Sequence, residues 1–250
     1  MLPRAVTLTT LALLVTSTAV AQRRFPPDSL INPKVFPKDT PVMTVVGTMR
    51  NFAGWLGVRC QYCHIGEEAL PLDSFDFASD EKRTKRTARL MMQMVQEVNR
   101  RLGDVPERPQ PALEVTCGTC HRGVPRPVPL IDLLGQAHAA AGVDSALMVY
   151  RALRGRYYGA AAYDFSDRTL NVFAGRLQRA SQFDAALQAV ALNAEFYPDR
   201  PSVVTTRGEV LLARGDTTGA IGEYQRALTL GPDPQAQSRL EALQRGGVRP

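Results

Sequence analysis

The sequence predicts an all-α protein, and three observations support this fold class. Apolar residues recur every three or four positions along several segments, as they do on one face of an α-helix. These segments begin at residues that cap helices well and stop at glycine. In the second half of the chain, Pro198 and Pro232 lie thirty-four residues apart, a period typical of stacked helix pairs.

Composition excludes several functional classes. Of the 250 residues, 44% are hydrophobic and 22% are charged, which is ordinary for a folded domain and excludes a mainly disordered chain. The only long apolar stretch is at the N-terminus, so a protein with many membrane spans is excluded. The net charge of +6 is modest and no aromatic-and-basic cluster occurs, so we expect no nucleic-acid partner.

Residues 1–21 predict a signal peptide. Arg4 supplies the positive start, an apolar stretch follows, and Ala19-Val20-Ala21 is a small-x-small cleavage site. We therefore expect a mature chain that begins at Gln22 and is exported to the periplasm. An uncleaved membrane anchor is the alternative, but the apolar part is short for a span and contains Thr and Ser.

Two helices are predicted in the first half of the mature chain. Residues 22–38 are rich in proline and predict an extended segment. Helices are then predicted over 41–56 and 80–102. Each is bounded by a capping residue and a glycine, namely Thr40 and Gly57 for the first and Ser79 and Gly103 for the second.

All four cysteines fall in two C-x-x-C-H motifs, at residues 60–64 and 117–121. This motif attaches c-type haem, because two thiols bond to the porphyrin and the following histidine becomes the proximal iron ligand. The sequence therefore predicts two covalently bound haems. The predicted attachment residues are Cys60, Cys63, Cys117 and Cys120, and the predicted proximal ligands are His64 and His121.

Three other uses of the cysteines fit less well. Zinc ribbons place their cysteine pairs about 15–20 residues apart, whereas more than fifty residues separate these pairs. A thioredoxin-like redox pair needs a βαβ setting, and no such pattern occurs. Two local disulfides would leave both histidines unexplained.

Methionines supply candidates for the second axial ligand of each iron. Five of the six methionines after the initiator lie on the two predicted helices: Met43, Met49, Met91, Met92 and Met94. Met49 and Met91 lie on the apolar faces of these helices, and we predict them as distal ligands, which suits electron transfer. Met94 lies on the same face as Met91, so the choice between them stays open.

The second half of the chain predicts a helical-repeat domain. After a proline-rich linker, the sequence from about Ile131 is helical in pattern, and helices over 144–158 and 234–245 are expected to cap the stack. One tetratricopeptide-like copy fits well, through Gly208, Leu211, Ala220, Tyr224 and Ala227. The copy before it is weaker, because Asn193 stands where alanine is expected. A plain helical bundle is the alternative.

The haem-motif half resembles the photosynthetic reaction-centre cytochrome c subunit family. The resemblance rests on MRNFAGWLGVRCQYCH, KRTARLMMQMVQEVNRRL and VTCGTCHRG, and it covers about residues 40–125. That family repeats a helix carrying a methionine ligand, a turn and C-x-x-C-H. The resemblance implies that Met49, with Trp55 behind it, serves the first motif and that Met91 serves the second. Reaction-centre members carry four haems, and the C-terminal repeats are not part of that subunit.

The predicted organisation is a signal peptide (1–21), a dihaem cytochrome c domain (22–130) and a tetratricopeptide-like domain (131–250). We expect a periplasmic carrier of electrons between redox proteins. Its partner would be a membrane-bound electron-transfer complex or a reaction centre, which would also hold it at the inner membrane. The repeats would bind a protein. A dihaem peroxidase and a haem-stabilised interaction protein are the alternatives. The basic run over 82–89 either steers an acidic partner or is a solvated helix face.

Overall fold

A computed structural model describes residues 24–108 and 110–245, so the predicted signal peptide lies outside the described residues. Within these ranges the chain is helical and contains no β-strand, apart from one isolated antiparallel bridge between Ile65 and Asp76. The predicted all-α fold class is confirmed. None of the helices in the described ranges combines the length and the apolar character needed to cross a bilayer.

In the half that carries the cysteines, the described residues form three α-helices and two short 3₁₀ turns. The helices are α1 (Val42–Leu56), α2 (Arg83–Gly103) and α3 (Cys117–His121), and the turns are Cys60–Tyr62 and Leu72–Ser74. The position of α1 agrees with the prediction to within one residue. In contrast, α2 begins three residues later than predicted, because the backbone near Ser79 is bonded elsewhere. Asp76 accepts the N–H groups of Ala78 and Ser79, and Lys85 donates to three carbonyls of the same loop.

As far as residue 245, where the described part ends, the C-terminal half forms six helices. They are α4 (Leu130–Tyr157), α5 (Asp167–Arg179), α6 (Phe183–Phe196), α7 (Pro201–Ala213), α8 (Thr217–Leu230) and α9 (Pro234–Arg245). Non-helical backbone at Ala141 and Gly142 interrupts α4. The helices predicted over 144–158 and 234–245 therefore correspond to the second part of α4 and to α9.

The C-terminal helices repeat at a regular interval and bury two apolar clusters. α5 begins at Asp167 and α7 at Pro201, thirty-four residues later, and α6 and α8 begin the same distance apart. Side chains such as Tyr150, Phe173 and Tyr224 are fully buried between neighbouring helices. The spacing agrees with the predicted period, and the identification of these pairs as tetratricopeptide repeats stays a prediction.

Contacts divide the chain into two compact units. The first comprises the described residues up to Arg50 together with Arg59–Leu90, and the second comprises Asn51–Val58 together with the described residues from Met91 onward. The division therefore passes through α1 and α2, and each unit contains one C-x-x-C-H motif. The predicted domains over 22–130 and 131–250 are a functional division and stay a prediction.

Buried side chains are scarce in the half that carries the cysteines. Among the described residues from 24 to 128, the buried ones are Phe75, Lys85 and Val124. α1 contributes no buried residue at all. The protein's apolar core therefore comes mainly from the C-terminal helices, and side chains alone provide little of it around the two motifs.

Candidate functional site

The first motif folds into a single tight turn. Cys60–Tyr62 form a 3₁₀ turn, the backbone N–H of Cys63 donates to the Cys60 carbonyl at 3.2 Å, and that of His64 donates to the same carbonyl at 2.9 Å. Cys60 is exposed and Cys63 is partly buried, and both thiols are free. The turn therefore brings the two predicted attachment sulfurs and the predicted ligand His64 together within five residues.

His64 lies in a partly buried, cation-rich environment. Its ring packs edge-on against Phe77, with ring centroids 4.9 Å apart. Burial, and after it the positive charges of Lys85, Lys82 and Arg89, lower the pKa of His64 to about 4. A neutral imidazole is the form that binds a metal, so His64 is ready to act as a ligand near neutral pH.

Lys85 organises the loop that follows the first motif. Its side chain is almost fully buried, with 8% of the residue's surface exposed. The Nζ atom donates to the carbonyls of Phe77 at 2.8 Å, Ala78 at 3.1 Å and Ser79 at 2.7 Å, and it lies 3.3 Å from the Asp80 carboxylate. This lysine therefore supports the segment that places the Phe77 ring against His64.

The neighbouring cations of α2 also bind the protein's own chain. Arg89 pairs with Asp80 at 2.6 Å and donates to the Asn32 carbonyl at 3.0 Å, while Asn32 donates to Asp80 at 3.0 Å. These hydrogen bonds hold the pKa of Asp80 below its usual range, with Arg89 the larger cause. Lys82 donates to the carbonyl of Gln61, between the two cysteines of the first motif. The cations of the basic run therefore mainly bond to other groups of this chain. Neither of the two sequence interpretations, a steering surface or a solvated helix face, predicts this.

The second motif forms the short helix α3, which is capped and fixed at both ends. At its start, Thr116 and Thr119 form a capping box. At its end, Nδ1 of His121 lies 2.9 Å from the carbonyl of Val124. Because that carbonyl can only accept, Nδ1 carries the proton, and Nε2 is left as the nitrogen able to bind iron.

Asn99 of α2 holds the segment that leads into the second motif. Its side chain donates to the Val115 carbonyl and accepts from the Val115 N–H, both at 2.8 Å. Around the axis of α2, at 100° per residue, Met92 is rotated about 20° and Met91 about 80° from Asn99, whereas Met94 is rotated about 140°. Met91 and Met92 are partly buried, and Met94 is 49% exposed.

Trp55, at the end of α1, covers the second motif. Its carbonyl accepts from the N–H of Gly123 at 2.8 Å, and a Cβ at Gly118 would lie 2.6 Å from its indole ring. Gly57 has φ +63°, and a Cβ there would lie 2.1 Å from the Gly123 carbonyl oxygen. The resemblance had grouped Trp55 with the first motif, which follows it in sequence, but its contacts are with the second.

The remaining candidate ligands lie in different surroundings. On α1, Met49 is partly buried and Met43 is 59% exposed. His138 lies among the C-terminal helices, where Nε2 is 2.7 Å from the Gln182 side chain and the ring packs edge-on against Phe173. In the described ranges, no group of three or more His, Cys, Asp or Glu side chains is arranged to hold a metal ion.

Part of the chain matches a known protein family. The family model described as the photosynthetic reaction centre cytochrome C subunit matches residues 32–143. The match includes both cysteine motifs, the methionines of α1 and α2, and Trp55, and it ends within α4. No curated protein matches the chain.

Proposed function

We propose that this protein carries electrons on two covalently bound c-type haems, because residues 32–143 match the family model described as the photosynthetic reaction centre cytochrome C subunit. The family itself implies covalently bound haem and interaction with redox partners. The finer assignment, one haem on each C-x-x-C-H motif, rests on the sequence and on the local structure of the two motifs.

The geometry at His121 is the observation that carries the proposal. Its Nδ1 is engaged by the Val124 carbonyl, which fixes the ring and leaves Nε2 as the metal-binding nitrogen. His64 is held neutral, and all four cysteines are free for thioether bonds. A haem would also provide apolar surface in a region that buries few side chains of its own.

Each protein residue then has a defined role. Cys60 and Cys63 would hold the first haem, Cys117 and Cys120 the second, and His64 and His121 would be the proximal ligands. Bound haem supplies a one-electron centre at each site.

Distal ligation by methionine would complete each centre. We propose Met49 for the first haem and Met91 for the second, as the sequence predicts. A histidine and a methionine at each haem would leave no open position for a substrate, which would favour electron transfer over a dihaem peroxidase.

The location and the partners belong to the same proposal. Cleavage after Ala21 would release a periplasmic protein that exchanges electrons with another redox protein, such as a membrane-bound complex or a reaction centre. Residues 131–250 would bind a protein partner. An apolar cleft between α6 and α7, with Arg207 and Arg226 at its edge, supports that role.

The test is expression of the full chain in a host that attaches c-type haem, followed by mass spectrometry and a redox titration read by visible absorbance. We expect the mature chain from Gln22 plus two haem masses, no free thiol and reversible one-electron reduction. The Cys60→Ala/Cys63→Ala double variant should keep one haem. A chain recovered without haem from this host would contradict the proposal.

A further inference from the structure

Lys85 is the one charged residue among the buried residues of the described ranges. Three backbone carbonyls and the Asp80 carboxylate surround its Nζ atom. All four groups are hydrogen-bond acceptors, so the arrangement requires the ammonium form, which supplies three donors. A positive charge is therefore held at a fixed place next to the first motif, with little water around it to screen it.

Two further contacts connect the cations to that motif. The Phe77 carbonyl accepts from Lys85, and the Phe77 ring packs against His64 with centroids 4.9 Å apart. Lys82 donates to the Gln61 carbonyl, within the motif itself. These contacts place the charges of Lys85 and Lys82 beside the first motif.

The nearby carboxylates offset this field only in part. Asp80 is shared between Arg89 and Lys85, at 2.6 and 3.3 Å. Asp76 accepts from the backbone N–H groups of Ala78 and Ser79 and also interacts with Lys85. The three cations Lys82, Lys85 and Arg89 therefore outnumber the two carboxylates that interact with them.

The second motif is held mainly by neutral groups. Asn99 bonds to Val115, and the Thr116 and Thr119 side chains cap α3. Arg122, which follows His121, is exposed, and its Nε lies 3.4 Å from the Thr119 carbonyl. An exposed charge is screened by solvent far more strongly than a buried one.

We propose that the cluster of Lys82, Lys85 and Arg89 makes the haem at Cys60–His64 the higher-potential centre of the two. The inference rests on the proposed function, because it requires a haem at each motif. Reduction adds one electron to the haem, so a fixed positive charge beside it stabilises the reduced state relative to the oxidised state. Lys85 contributes most because it is the most deeply buried of the three. It acts on the haem through its charge and does not bind the iron.

Two variants of opposite sign test the proposal in the holoprotein, with both haem potentials resolved by redox titration. Lys85→Met removes the charge and keeps the side-chain length, and it should lower the reduced-to-oxidised ratio of the first haem by roughly tenfold at fixed potential, or about 59 mV. Asp80→Asn removes a counter-charge and keeps its shape, so it should raise that ratio by several-fold. In both variants the second haem should change by less than about twofold.

Matched controls separate charge from packing. Lys85→Arg keeps the charge and should leave the first haem close to wild type, and Arg83→Gln removes an exposed cation of the same helix and should shift neither haem. If Lys85→Met does not retain its haem, Lys82→Gln removes a charge of the same cluster instead. It should lower the potential of the first haem, as Lys85→Met would.

Three results would overturn the inference: equal potentials for the two haems, equal shifts of both haems in Lys85→Met, or a lowered first potential in Asp80→Asn. Each of these still requires two attached haems and would leave the proposed function intact. Failure of the proposed function would appear as protein without haem.

Discussion

Replacing Gly118 with alanine should selectively weaken the second haem motif. Gly118 is the residue after the first cysteine of that motif, and Trp55 lies directly over it. An alanine Cβ would lie 2.6, 2.9 and 3.0 Å from the Cδ1, Cγ and Nε1 atoms of the indole. Carbon atoms in good contact are about 3.5–4.0 Å apart, so the ring must move by about 1 Å.

The expected cost follows from the anchoring of that ring. The Trp55 carbonyl is bonded to Gly123 at 2.8 Å, and Gly57 is locked against the same residue, so the backbone cannot easily retreat. Overpacking of this kind costs about 1–3 kcal/mol. Replacing glycine by alanine inside a helix returns up to about 1 kcal/mol, and less in a helix as short as α3. We expect a net loss of about 1–2 kcal/mol.

The assay is denaturant unfolding of the holoprotein, followed at the absorbance bands of the haems. The matched control is Gln61→Ala, which changes the equivalent position of the first motif and should be nearly neutral. Trp55→Leu tests the mechanism, because it removes the ring that the new Cβ would strike. In the Trp55→Leu background, Gly118→Ala should cost less than about 0.5 kcal/mol.

An equal cost for Gly118→Ala with and without the Trp55 ring would refute the reasoning. The loss would then come from the backbone of α3 itself, and the contact between α1 and the second motif would have no energetic weight. A Gly118→Ala protein as stable as wild type would refute it as well.

Three further predictions follow. Met49→Leu and Met91→Leu should each remove about half of the ferric iron–thioether charge-transfer band, whereas Met94→Leu should keep it; loss of the band in Met94→Leu alone would move the second ligand to that residue. Burial raises the pKa of Tyr150 from 10.0 to about 12, so the folded state keeps a proton that the unfolded chain releases. The contribution of Tyr150 to stability should therefore be full below pH 10 and be lost between pH 10 and 12, so the fall in this range should be shallower in Tyr150→Phe; free energies of unfolding measured against pH would show the same slope in both proteins if the idea is wrong. Ala220→Leu should overpack a fully buried position of α8 and cost about 1–3 kcal/mol without altering the haem bands, and a spectral change would contradict the functional division at residue 130.

The helix positions could be predicted wherever local sequence signals determine them. Thr40 and Gly57 bracket α1, and the helix predicted over 234–245, just after Pro232, has the bounds of α9. In these cases capping, backbone freedom and apolar spacing all act over a few neighbouring residues. The same is true of the two C-x-x-C-H turns, whose chemistry is contained within five residues.

The features that sequence reasoning missed depend on contacts between distant residues. The start of α2 is displaced because Lys85 and Asp76 bind the loop before it, and no local signal reports such bonds. For the same reason the sequence predicts that the basic run lies at the surface, because only the tertiary structure buries Lys85. The contact of Trp55 with Gly118 joins residues sixty-three positions apart. The small residue Gly118 inside the second motif is the only sequence feature that points to it.

The equal spacing of helix starts in the C-terminal half has a consequence for how this protein can change in length. Because α5 and α7, and likewise α6 and α8, begin thirty-four residues apart, gain or loss of one whole helix pair leaves each remaining helix beside a neighbour of the same kind. The stability of such an array is close to a sum over adjacent pairs, so it responds to each added or deleted pair in regular steps. Evolution can therefore enlarge or reduce the surface of this half of the chain by duplicating one segment, while every residue of the two C-x-x-C-H motifs stays as it is.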